Sequence, residues 1–120
     1  MGQPVVHWEI AGKDAAKLQE FYSGIFDWKV NVDEALNYGI VETRGQGGID
    51  GGIFAPPNGA APYTMFYVHV DDIQQYLDKI ESLGGKTMMP PMEIPGVGST
   101  AVFSDPDGNS VGLFTGETVS

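Results

Sequence analysis

The sequence predicts an α+β fold made of two copies of one β-α-β-β-β module, and three observations lead there. Two apolar stripes, Leu18-Phe21-Tyr22-Ile25 and Ile73-Tyr76-Leu77-Ile80-Leu83, recur at helical spacing. Each follows a short segment of strand-like pattern, Val5 to Ile10 and Tyr63 to Val70. Each is followed by further strand-like runs separated by Gly, Pro and Asp turns. A chain of 120 residues suits one domain. The expectation is a single domain over 1–120, with module one at 1–57 and module two at 61–120.

Module one opens on Val5-Val6-His7-Trp8-Glu9-Ile10, and Asp14 stands where a helix N-cap belongs. The helix that follows runs about three turns. Trp28 to Val32 and Tyr38 to Glu42 read as strands, and a short fourth strand is expected near Gly52-Ile53-Phe54-Ala55. Pro56-Pro57-Asn58-Gly59 then breaks the chain. Module two repeats the order. Asp71-Asp72 caps its helix and Gly84-Gly85 ends it. Lys86 to Met89 is a strand, Pro90 to Gly98 a long loop, and Thr100 to Ser104 and Ser110 to Thr115 the last two strands around Asp105-Pro106-Asp107-Gly108. Trp8, Phe21, Tyr22, Phe26, Leu77 and Ile80 are expected in the core.

Sixteen acidic residues against six basic ones give a net charge of −10. Six scattered cations make no stripe that could neutralise a nucleic-acid backbone, and an anionic membrane surface is disfavoured for the same reason. No apolar run reaches the ~20 residues of a bilayer span, and the N-terminal residues show no signal-peptide pattern. The absence of cysteine removes disulfides, thiolate catalysis and Cys-based zinc sites, and fits a cytoplasmic location. No Gly-x-Ser-x-Gly occurs, and the glycines between Gly45 and Gly52 precede no Gly-Lys-Ser/Thr. Met88, Met89 and Met92 among prolines suit either a soft lid or a loop packed on the sheet edge.

The residues in order resemble the glyoxalase / bleomycin-resistance / extradiol dioxygenase group, the vicinal oxygen chelate superfamily. The likeness is carried by Val6-His7-Trp8-Glu9-Ile10, Phe21-Tyr22 and Phe26-Asp27-Trp28 in module one. In module two it is carried by Val70-Asp71-Asp72, Leu83-Gly84-Gly85-Lys86 and Asp105-Pro106-Asp107-Gly108-Asn109. Short bacterial glyoxalase-like members also carry a stretch similar to Pro90-Pro91-Met92-Glu93-Ile94-Pro95-Gly96-Val97-Gly98. The resemblance implies two curved half-sheets closing into a cup. In metal-dependent members a divalent ion is held there by the first and last strand of each module. Matched position by position, His7 stands at the first ligand place, a residue near Ile53 at the second, Met65 at the third and Gly112 at the fourth. One ligand of four survives, so no metal and no other cofactor are expected.

Strand alternation sets His7 and Glu9 on the cup face of the first strand, with Trp8 and Ile10 toward the helix. It sets Met65, Tyr67 and His69 on the cup face of the fifth strand, with Phe54 and Phe114 as further lining. His7 and Glu9 are the candidate catalytic pair, since imidazole and a buried carboxylate can exchange protons. Met65, Tyr67, His69, Phe54 and Phe114 are the candidate ligand-binding residues. The expected function is binding or sequestering a small, cationic or aromatic ligand, in the manner of the drug-sequestering members. The alternatives are a lyase or isomerase of the lactoylglutathione-lyase type, or a dioxygenase, using His7 and Glu9 with or without a divalent metal, and an assembly role with the cup collapsed. The resemblance implies a homodimer.

Overall fold

The computed structural model describes residues 2–43, 45, 47–57 and 59–116. Asn58 of the expected break lies outside them, as do residues 117–120 of the expected second module. The elements run β1 (Val5–Ala11), α1 (Ala15–Phe26), β2 (Lys29–Asp33), β3 (Tyr38–Glu42), β4 (Gly51–Phe54), β5 (Tyr63–His69), α2 (Ile73–Ser82), β6 (Lys86–Ile94), β7 (Gly98–Ser104) and β8 (Ser110–Gly116). The chain divides into two compact units, His7–Met65 and Met1–Val6 with Phe66–Ser120.

In the unit His7–Met65 the strands lie in the order β2-β3-β4-β1. β1 runs parallel to β4, with Trp8 opposite Gly51, Glu9 opposite Gly52 and Ile10 opposite Ile53. Residues opposite each other share a face, so Trp8, Ile10, Gly51 and Ile53 lie on one side and Glu9, Gly52 and Phe54 on the other. Val41, Ile53, Ala11 and Met65 are buried. Asp14 caps α1 through its carboxylate, which accepts from the Lys17 amide at 3.1 Å. The helix stops at Asp27, whose N–H still donates to the Ser23 carbonyl and whose left-handed φ of 59° turns the following chain away from the helix axis.

Phe21 and Phe26 correct the expected core, because both are more than half exposed. Gln19 takes an inward position on α1, where its Nε2 donates to the Ile53 carbonyl at 2.9 Å. Phe21, two positions on, falls about 200° round the helix from Gln19 and faces largely outward. Phe26 is the last helical residue and packs one face on Trp28, with ring centroids 4.9 Å apart. Trp28 also meets Trp8 at 5.1 Å and stacks on Tyr22 at 5.9 Å.

The second unit repeats the topology with the order β5-β8-β7-β6 and β5 parallel to β8. Val70, Ile73, Leu77, Ala101 and Leu113 form its core, with Val68, Tyr76, Ile80 and Phe103 packed around them. Asp72 caps α2 by accepting from the Gln75 amide at 3.1 Å. Leu77 is 1% exposed, so Leu77→Ala leaves a cavity in this core. The expected loss is about 3 kcal/mol, read as a lower urea midpoint at unchanged slope.

The Pro90–Gly98 loop of the sequence reading is also corrected. β6 extends to Ile94 and pairs with β7, with register shifts between Thr87 and Met89 and between Met89 and Met92. Proline is tolerated here because β6 is the edge strand of this unit and Pro90-Pro91 falls inside the second shift. The turn into β8 is tied by Asp105, whose carboxylate accepts from Asp107 N, Asn109 N and Asn109 Nδ2.

Candidate functional site

Parity along β1 puts Glu9 opposite Gly52, and Glu9 is only 6% exposed. A carboxylate in that setting must be met by donors. Two phenols meet it. The Tyr38 hydroxyl donates to Oε1 at 3.2 Å and the Tyr63 hydroxyl to Oε2 at 3.0 Å. His7 Nε2 lies 2.7 Å from the Tyr38 oxygen. A phenol has one hydrogen, and an ionised carboxylate only accepts. With the Tyr38 hydrogen turned to Glu9, the His7 Nε2–H is the donor to Tyr38. The four side chains therefore form a directed chain from His7 through Tyr38 to Glu9, closed from the other side by Tyr63.

The electrostatics follow from the same contacts. Burial pushes the His7 imidazole below its ordinary pKa, with the charge of Asp50 pulling the other way. Tyr63 is raised well above the ordinary tyrosine range, first by burial, then by the Glu9 charge and the bond to it. An unfolded chain binds a proton on His7 more readily than the folded one does. Stability is therefore expected to fall as pH drops below about 6.5, the ordinary value for histidine. Tyr63 acts at the other end: the unfolded chain ionises first, so stability falls as pH rises above about 10. Urea midpoints across pH check both, with His7→Gln flattening the acid side and Tyr63→Phe the alkaline side.

Tyr38 and Tyr63 were not among the sequence-predicted site residues. The phenols reach Glu9 across 29 and 54 positions of chain, and no local pattern marks such pairings. One signal was legible in principle. Gly52 stands opposite Glu9 in the middle of a strand, and the Tyr38 hydroxyl and ring occupy the space a Cβ there would need.

Of the predicted residues in the unit His7–Met65, the structure brings His7, Glu9 and Phe54 together. The Phe54 ring centroid is 5.1 Å from that of Tyr38. Met65 is buried. In the second unit Tyr67 stands opposite Gly112 and His69 opposite Phe114, so these share a face. His69 Nε2 is 3.0 Å from the Gly116 carbonyl and its ring is 6.0 Å from Phe114. The Tyr67 ring fills the space where a Cβ on Gly112 would sit.

The second expected ligand position needs correction. Ile53 is fully buried and shares the face of Ile10, and the residues beside Glu9 are Gly52 and Phe54. The four-ligand metal set implied by the resemblance does not fit the residues present. A tyrosine ring lies over Gly52 in one unit and over Gly112 in the other, where a strand-end carboxylate would need room. Among the described residues no three His, Cys, Asp or Glu side chains converge.

Comparison with known proteins agrees with this architecture. Residues 5–113 match the family described as Glyoxalase/Bleomycin resistance protein/Dioxygenase superfamily. CFP32 of Mycobacterium bovis, named as a candidate glyoxylase, is 29% identical over 119 residues. The anthracycline biosynthesis protein DnrV of Streptomyces peucetius is 27% identical over 117. These alignments take in 93% and 84% of this chain but 46% and 42% of the relatives, so the chain spans about half the length of the curated proteins it matches. Among solved structures, protein BH1468 of Bacillus halodurans superposes with a TM-score of 0.73 at 14% identity, covering 100% of this chain and 99% of that one. The methylmalonyl-CoA epimerase of Mycobacterium tuberculosis superposes at 0.66 and 13%, covering 94% and 87%. No helix among the described residues is long and apolar enough to cross a membrane.

Proposed function

Because the chain belongs to the glyoxalase/bleomycin resistance/dioxygenase superfamily, we propose that it is a small-molecule-binding member in which side-chain hydrogen bonds replace the metal centre, and that its ligand is an aromatic cation. The observation that carries this reading is the buried Glu9 carboxylate held by the Tyr38 and Tyr63 hydroxyls, with His7 on Tyr38. Its negative charge, the nearby charge of Asp50 and a net charge of −10 favour a cation. The rings of Tyr38 and Phe54 beside it offer faces for stacking and for a cation–π contact. Relatives named for anthracycline biosynthesis support a small-molecule role.

A second reading, a lyase or isomerase, is favoured by one observation. His7, held neutral by burial, is joined to a carboxylate through a single phenol, an arrangement that can pass a proton. We place the protein in the cytoplasm as a homodimer. The exposed apolar side chains Ile25 and Phe26 on α1 support self-association, and light scattering at twice the chain mass checks it.

The test of the binding reading is a melting curve with 4-phenylbutylamine. Ligand at 100 times its Kd is expected to stabilise by about 2.7 kcal/mol. The shift should vanish in Glu9→Gln, which removes the charge and keeps the shape. An equal shift in Glu9→Gln contradicts the assignment. Loss of turnover with retained binding in His7→Ala favours the enzyme.

A further inference from the structure

The unit His7–Met65 also holds a cleft of about 680 Å³ between the end of β1, the first two turns of α1 and the start of β5, bordering the His7–Glu9 group at Ile10 and Tyr63. Its walls are apolar, set by Ile10, Leu18, Phe21 and Tyr22, and Lys13 and Lys17 stand among its lining residues. We propose that this cleft is a second binding site, for a small amphiphilic anion: a carboxylate on an apolar body. The inference goes beyond the function proposed above, and its ligand has the opposite charge.

Three features support the choice. The volume lies within the roughly 300–1,000 Å³ common for small-molecule sites. Phe21 lines the cleft while 58% exposed, and an apolar ligand body laid against it would remove that surface from water. Charge decides the head group. The chain carries only six basic residues against sixteen acidic ones, yet two of the six line this one cleft. Neither ammonium makes an ion pair among the described residues. The acid between them, Asp14, already spends its Oδ1 on the Lys17 amide as the helix cap. The cleft also opens at the N-terminal end of α1, where the helix dipole adds positive potential. A cation would share the apolar walls and would meet the two ammonium groups and the helix N-terminus as like charges.

The experiment titrates the ¹⁵N-labelled full chain with three compounds of one apolar body: 4-phenylbutyrate, 4-phenylbutanol and 4-phenylbutylamine. The carboxylate is expected to shift the amides of Gly12, Lys13, Leu18 and Thr64, and to bind about tenfold more tightly than the alcohol, the ratio two favourable charge contacts of ordinary strength produce. The double substitution Lys13→Gln with Lys17→Gln should remove that tenfold advantage and leave the alcohol unchanged. Phe21→Ala should weaken carboxylate and alcohol alike. All three positions are exposed, and the amide spectrum of each variant reports directly whether it is folded. Equal affinity for carboxylate and alcohol overturns the proposal. So does an unaffected double variant, or an absence of shifts at the cleft amides at millimolar carboxylate. The amine arm reads the His7–Glu9 group through the amides of β3 and β4, none of which lines the cleft, so failure of either site is seen separately from the other.

Discussion

Replacing Gly112 with glutamate, the residue that metal-binding relatives of the superfamily are expected to carry there, should destabilise the protein by about 3 kcal/mol or more. The reason is steric before it is chemical. A Cβ on Gly112 would run into one edge of the Tyr67 ring, and a ring on the paired strand cannot flex aside as a long aliphatic tip would. Gly112→Ala isolates the steric part and should lose about 2 kcal/mol. If the ring is the obstacle, Tyr67→Ala must relieve it. The double variant Gly112→Ala with Tyr67→Ala should then be more stable than the two single losses added together, with a coupling of about 1 kcal/mol or more. Additive losses would mean that the ring yields and that the position remains open to a ligand side chain. Urea unfolding of the four proteins completes the cycle.

The second large effect lies at Glu9. Tyr38→Phe together with Tyr63→Phe removes both phenolic donors and leaves the carboxylate in place. Hydrogen bonds to a charged group are each worth roughly 1.5–3 kcal/mol, so the pair should cost about 3 kcal/mol or more. The loss has a signature that ordinary packing damage lacks. Adding Glu9→Leu removes the charge that needed those donors, and the triple variant should regain a large part of the lost stability. Were the triple variant less stable than the double, the two phenols would be incidental to Glu9. Glu9→Leu alone should also be destabilising, since it strands the Tyr38 and Tyr63 hydroxyls beside an apolar side chain.

These two effects mark the boundary of what a single sequence can show. Strand alternation is local and has a period of two, so the facing of His7, Glu9, Trp8 and Ile10 follows from β1 alone, and that of Tyr67 and His69 from β5 alone. The repeat of one module is equally legible, because both units place their first strand parallel to their last. Partners are another matter. Tyr38 and Tyr63 reach Glu9 from β3 and β5, and only the assembled sheet brings them there. Register through a glycine-rich segment is similarly weak, and a shift of one residue separates the buried Ile53 from Gly52 on the face of Glu9. The segment after Met89 failed for a different reason. Proline argues against a strand in general, but an edge strand with a register shift accommodates it. Phe21 shows the same limit for helices, since an apolar stripe gives a periodicity but not which of its members meets the sheet, and Gln19 takes an inward place beside Ile53.

The proposed reading puts hydrogen-bonded side chains where the superfamily's metal centre would be. Metal content of the full chain purified without chelator, read beside melting curves with added Ni²⁺, Zn²⁺, Mn²⁺ and Fe²⁺, tests it most directly. Substoichiometric metal and unchanged melting temperatures are expected. One metal ion per chain, with a raised melting temperature that is lost in His7→Ala, would contradict it and return His7 to the role of a ligand.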